Sequence, residues 1–139
     1  MATTLNELVT VKNRPQDLFE GDPIALSSSF QDISAVINTK GARSIILWVD
    51  VTIGTSTDVQ FKLLGGHDES SVEYAFPLET VSATKIELVD EVREIANANT
   101  KMAIEYVLSE AIPYVKIQIK DAADGTGTLN SAKVTFKRQ

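Results

Sequence analysis

The stretch Ser44-Ile45-Ile46-Leu47-Trp48-Val49-Asp50-Val51-Thr52-Ile53 places Ile, Leu or Val at every odd position from 45 to 53. Side chains that alternate with a period of two point to opposite faces of a strand, so this run reads as a half-buried β-strand. Its register predicts that Ile45, Leu47, Val49 and Val51 are buried, with Phe61, Ile117 and Val134 of other strands in the same core. Trp48 and Ile46 fall on the opposite face. Such an apolar pair is either covered by another segment or offered to a partner, and coverage by the arm or a loop is the favoured expectation, since aromatic surface is more often hidden.

The same period recurs on both sides of this run. Pro23 to Ser27 and Ser34 to Asn38 read as short strands before it. After it, Gly54-Thr55-Ser56-Thr57 turns the chain into Asp58 to Leu64, where Val59, Phe61 and Leu63 share a face. A short connection with glycine predicts that these two strands form a hairpin. Residues 71 to 78 put Val72, Tyr74, Phe76 and Leu78 on one face, and Pro77 opposite them marks an edge or a strand end. Residues 79 to 84 read as a loop and Lys85 to Val89 as a strand. Between 91 and 98, Val92 and Ile95 suit one helical turn or an irregular strand, and the stretch is taken as a strand extension. Lys101 to Ser109, Tyr114 to Lys120 and the run bearing Ala132, Val134 and Phe136 complete the set. About eight strands with one apolar face each must pair those faces across a second sheet. The expected fold is all-β, an antiparallel β-sandwich of Greek-key or jelly-roll type over residues 22–139.

Residues 1–21 are unlike the rest and read as an extended N-terminal arm. Leu5, Leu8, Val9 and Val11 follow no dominant period, although a short helix over residues 4 to 11 is compatible with them. Asn13-Arg14-Pro15-Gln16-Asp17 and Glu20-Gly21-Asp22-Pro23 then interrupt any regular element. Such a segment either frays or docks, on its own body or on a neighbouring subunit. The docking expectation is an intersubunit clasp, with Leu5, Leu8, Val9, Val11, Leu18 and Phe19 as its interaction residues, joined on the sheet by Trp48.

At 139 residues and 43% hydrophobic content the chain is long enough for one domain with its own core. A formal charge of −6 argues against tracking the phosphates of a nucleic acid. No apolar run approaches the roughly 18–20 residues of a membrane span. The N-terminus lacks the basic and apolar regions of a secretory signal, so no export by that route is expected. Without cysteine there is neither a disulfide framework nor a thiolate metal site.

Candidate chemistry is sparse. His67 is the only histidine, so zinc sites and triads built on several His or Cys ligands have no partners for it, and it reads as a solvated loop residue. Asp68, Glu69 and Glu73 cluster, as do Asp90, Glu91 and Glu94, and both groups read as solvated faces of an acidic protein. Asp121-x-x-Asp124-Gly125 lacks the spacing and the closing glutamate of a calcium loop. Gly125-Thr126-Gly127 opens no helix and so is no phosphate-binding loop. The expectation is no catalytic, cofactor-binding or metal residue, and no enzyme.

Three segments carry a resemblance. They are Gly41-Ala42-x-Ser44-Ile45-x-Leu47-x-Val49-Asp50-Val51, Asp58-Val59-x-Phe61-Lys62-x-Leu64-Gly65-x-His67, and Ile112-Pro113-Tyr114-Val115-Lys116-Ile117-Gln118-Ile119-Lys120. The last is followed by Gly125-Thr126-x-Thr128-x-Asn130-Ser131-Ala132-x-Val134-Thr135. Together they resemble the small β-sandwich proteins of the tailed-bacteriophage head and neck, the capsid decoration or cement proteins first among them. The resemblance implies a virion protein on the capsid exterior, made in the host cytoplasm. It also implies self-association, with a homotrimer favoured, and non-covalent binding to the phage major capsid protein, with no nucleic acid and no membrane as partner. It brings no catalytic residue. The alternatives are another phage head–neck or tail component, a carbohydrate-binding β-sandwich module and, ranked last, a small hydrolase using the acidic clusters.

Overall fold

The computed structural model describes residues 4–5, 16–55, 58–96, 100–108, 112–121 and 126–138. Six two-residue strands come first: β1 (Thr4–Leu5), β2 (Gln16–Asp17), β3 (Phe19–Glu20), β4 (Ile24–Ala25), β5 (Gln31–Asp32) and β6 (Ile37–Asn38). The longer run β7 (Ala42–Thr52), β8 (Asp58–Gly66), β9 (Tyr74–Ala75), β10 (Pro77–Val81) and β11 (Ile86–Asp90) follows. β12 (Arg93–Ala96), β13 (Thr100–Val107), β14 (Tyr114–Asp121) and β15 (Thr128–Arg138) complete the chain.

Two antiparallel sheets form the sandwich. One has the order β12-β8-β14-β5, with β9 also on β8 and β6 also on β14. The other has the order β13-β7-β15-β2, with β4 also on β15. The apolar stripes face one another: Ile45, Leu47, Val49 and Val51 of β7 lie against the layer holding Val59, Phe61, Ile117 and Ile119. The core residues expected from the register of this run, Ile45, Leu47, Val49 and Val51 with Phe61, Ile117 and Val134, are all buried.

The expected hairpin between residues 43–53 and 58–64 does not form. β7 pairs with β13 and β15, whereas β8 pairs with β12, β14 and β9, so the chain changes sheets after Gly54. Both strands bear a full apolar stripe, and two such stripes bury each other when they face across a core rather than lie side by side. Gly54 takes φ +64°, and a Cβ there would sit 2.5 Å from the Thr126 Oγ1. The close approach is locked by two reciprocal bonds of 3.0 Å each: the Thr55 N–H donates to Thr126 Oγ1 and the Thr126 N–H to Thr55 Oγ1.

β15 contains a bulge between Leu129 and Ser131. It is what allows Leu129 and Ala132, three residues apart, both to face inward. Asn130 uses the extra space, donating to Asp50 Oδ1 at 3.3 Å and to Thr52 Oγ1 at 2.9 Å.

The N-terminal region departs from the clasp expectation. Leu18 and Phe19 are buried in this chain's own core, and the Leu18 N–H donates to the Ala132 carbonyl at 2.9 Å. β2 adds to the β15 edge, and β1 pairs with β3. Residues 16–19 are therefore part of the sandwich, because Gln16 and Asp17 pair with β15 and Leu18 and Phe19 bury their side chains in its core. Leu8, Val9 and Val11 lie outside the described residues, and of Leu5 only the backbone pairing with Phe19 is described.

Residues 71–81 also differ from expectation. Val72 is buried and Phe76 half-buried, but Tyr74 and Leu78 are exposed. Residues 79–81, read as loop, belong to β10, and β10 pairs only with β11.

Candidate interaction surfaces

The described residues hold no group of three or more His, Asp or Glu side chains placed to bind a metal. The acidic clusters are dispersed by local partners. Asp90 pairs with Lys62 at 3.1 Å, Glu91 with Arg93 at 3.0 Å, and Glu94 accepts from Gln60 Nε2 at 2.8 Å. Asp68 is held below the usual carboxylate range, first by the Ser70 backbone N–H and then by the Ser70 hydroxyl. Asp124 of the loop weighed for calcium lies outside the described residues.

His67 is exposed beside Tyr74, their rings 5.5 Å apart and tilted by 46°. They border a recess of about 220 Å³ whose floor includes Gly65, Phe76 and Ile112. Gly65 is required there, since a Cβ would meet the Phe76 ring at 2.9 Å. Phe76 in turn packs on the core and fixes the start of the next element.

That element is the β10–β11 ribbon, in which every residue from Pro77 to Asp90 is exposed. Leu78 pairs with Val89 and Thr80 with Glu87 on one face; Glu79 with Leu88 and Val81 with Ile86 on the other. The tip closes through the Ser82 N–H and hydroxyl, which both donate to the Lys85 carbonyl at 3.0 and 3.2 Å. The base is held by the Glu91 N–H on the Phe76 carbonyl, 2.8 Å, and by the Lys62–Asp90 ion pair. Large apolar side chains stand in solvent along its length, with Val81 77% exposed and Ile86 and Leu88 close behind. An isolated two-stranded ribbon is marginal in water, and this one lacks a packed face to support it.

A second apolar surface lies on the outside of the opposite sheet. Trp48 is 45% exposed there, so the described residues do not give it the cover that was expected. Its indole N–H donates to Thr135 Oγ1 at 2.6 Å, which fixes the ring against the sheet. Pairing places Ala103 and Lys133 on either side of Trp48, and Lys101 beside Asp50 in the adjacent row. With Ser131 they line a shallow groove of about 400 Å³. The outer face of β7 already carried Trp48 as a sequence signal. The ribbon carried none, because Val81, Ile86, Leu88 and Val89 look like ordinary strand residues.

At the open edge of the sandwich, Arg93 lies 4.1 Å over the Tyr106 ring, and its Nη1 donates to the Glu105 carbonyl. Tyr106 is buried, which pushes its phenol up to about 12 against the opposing charge of Arg93.

No protein-family model matches the chain, and no curated protein matches it. The described residues present two exposed apolar surfaces: the β10–β11 ribbon, rooted beside β8, and the Trp48 groove on the outside of the other sheet.

Proposed function

We propose that this chain is a structural virion protein that decorates and stabilises a bacteriophage capsid by non-covalent binding to capsomers. The observation that carries the reading is the β10–β11 ribbon, apolar on both faces and exposed throughout. Exposed apolar patches of this kind mark protein-binding sites. The resemblance of residues 41 to 136 to capsid decoration proteins supplies the setting, and multi-copy attachment adds avidity to each weak contact. On this reading the chain is not an enzyme, and its partners are further copies of itself and the major capsid protein.

Trp48 supports a second reading, a carbohydrate-binding module, because an exposed indole is a platform for an apolar sugar face. It is the weaker one, since Trp48 is the only exposed aromatic residue of its sheet among the described residues. The test is co-sedimentation with capsids of the phage whose genome encodes the chain, beside an insoluble polysaccharide. Saturable binding to capsids alone is the expected result. Retention on the polysaccharide, or no binding to capsids, overturns the virion reading.

A further inference from the structure

We infer that the β10–β11 ribbon of one copy seats in the Trp48 groove of a second copy, giving a head-to-tail contact between identical chains.

The two surfaces cannot meet within one molecule. The ribbon is rooted on β8 through Phe76 against Gly65 and Lys62 on Asp90, whereas Trp48 faces outward from the other sheet. Both are exposed in the single chain, so a contact between them joins two molecules. Joining different patches makes the contact heterologous, and repetition of it closes a ring or extends a chain.

Size and charge match. A five-residue strand spans about 17 Å, and three neighbouring strands are about 10 Å across, so the ribbon fits along the face of β13, β7 and β15. The ribbon face with Val81, Ile86 and Leu88 supplies apolar side chains for Trp48 and Ala103. Its carboxylates are Glu79 and Asp90, the latter already paired with Lys62. On the groove side Lys101 and Lys133 flank the indole, and Lys133 is only loosely engaged by Asp17 at 3.7 Å. The groove's own acid, Asp50, is half-buried and accepts from Asn130. Glu105, at the far rim, accepts from the Ser44 hydroxyl at 3.1 Å. Glu79 of one copy thus meets the Lys101 and Lys133 side of the next. With Glu87 paired to Lys85 and Asp90 to Lys62, Glu79 is the one ribbon charge without an ion pair among the described residues. An apolar ribbon with that single acid gains no attraction from a lipid or nucleic-acid phosphate surface, which favours a protein seat.

This contact uses the Val81, Ile86 and Leu88 face of the ribbon, leaves the Leu78 and Val89 face open for a capsid contact, and does not depend on the virion reading. Native mass spectrometry and sedimentation equilibrium of the full chain should show a concentration-dependent oligomer. Trp48→Ala, and separately Val81→Thr with Ile86→Thr, which keeps strand-forming side chains at that cross-strand pair, should each weaken it at least about tenfold, as loss of a central anchor does. All three positions are exposed, so the variants retain the wild-type circular dichroism spectrum. Glu79→Lys should not assemble alone, nor should Lys101→Glu with Lys133→Glu, but an equimolar mixture of the two should. A monomeric wild type, an oligomer indifferent to these changes, or a mixture that stays monomeric overturns the inference. Assembly without capsid binding removes only the virion reading, and capsid binding by a strict monomer removes only this contact.

Discussion

Replacing Leu18 with Ala tests whether the segment at residues 16–19 belongs to the sandwich or clasps a neighbour. Leu18 is 0% exposed, and its N–H is bonded to the Ala132 carbonyl, so truncation removes three carbons from a closed site without touching that bond. The neighbouring β2–β15 and β1–β3 pairings hold the backbone in place, which limits collapse of the cavity. A Leu→Ala change in such a site costs about 2.7–5 kcal/mol, transfer and cavity terms together. A domain of this size is stable by about 5–15 kcal/mol, so the variant folds but loses a large fraction of its margin. At about 3 °C per kcal/mol the midpoint should fall by roughly 10 °C. Urea denaturation should show a lower midpoint with an unchanged slope, because the surface exposed on unfolding is nearly the same. The loss should be independent of protein concentration, since the packing lies within one chain. Val81→Ala, on the ribbon, is the control and should stay within about 0.5 kcal/mol of wild type under monomeric conditions. A Leu18→Ala loss below about 1 kcal/mol, or one that appears only at concentrations where the chain associates, would refute the intramolecular packing.

Val49→Asp should abolish folding, because Val49 is buried between the sheets and an unpaired carboxylate there has no compensation; a near-wild-type far-ultraviolet spectrum would contradict the register. Gly54→Ala should cost about 1–3 kcal/mol in thermal or urea unfolding, since it forces a Cβ onto Thr126 at a positive φ. Tyr106 ionises near 10 when unfolded and about 12 when folded, so the folded state keeps its proton longer. Its contribution is complete below pH 10 and is lost as pH rises towards 12, by about 2–3 kcal/mol. Tyr106→Phe should flatten that part of the stability profile measured by urea titration between those pH values, and an unchanged slope would count against the burial of the phenol.

The strands of the core were legible in the sequence because a period of two is a local property. Odd positions 45–53, Val59 and Phe61, Val115 to Ile119, and Ala132 to Phe136 all alternate over consecutive residues, and all bury the faces that the alternation indicates. The absence of cysteine and the single histidine likewise restrict the chemistry without any coordinates. Pairing was not legible. Gly54 to Thr57 looks like a hairpin turn, yet the chain crosses to the other sheet there, since which strands are neighbours depends on contacts far along the chain. The same holds for exposure. Leu18 and Val81 are both apolar residues in short extended segments, yet one is sealed in the core and the other stands in solvent. Alternation says that a side chain needs a cover, but whether its own chain supplies one is decided only when the sheets stack. For Val81, Ile86 and Leu88 no part of the described chain lies close enough to do so.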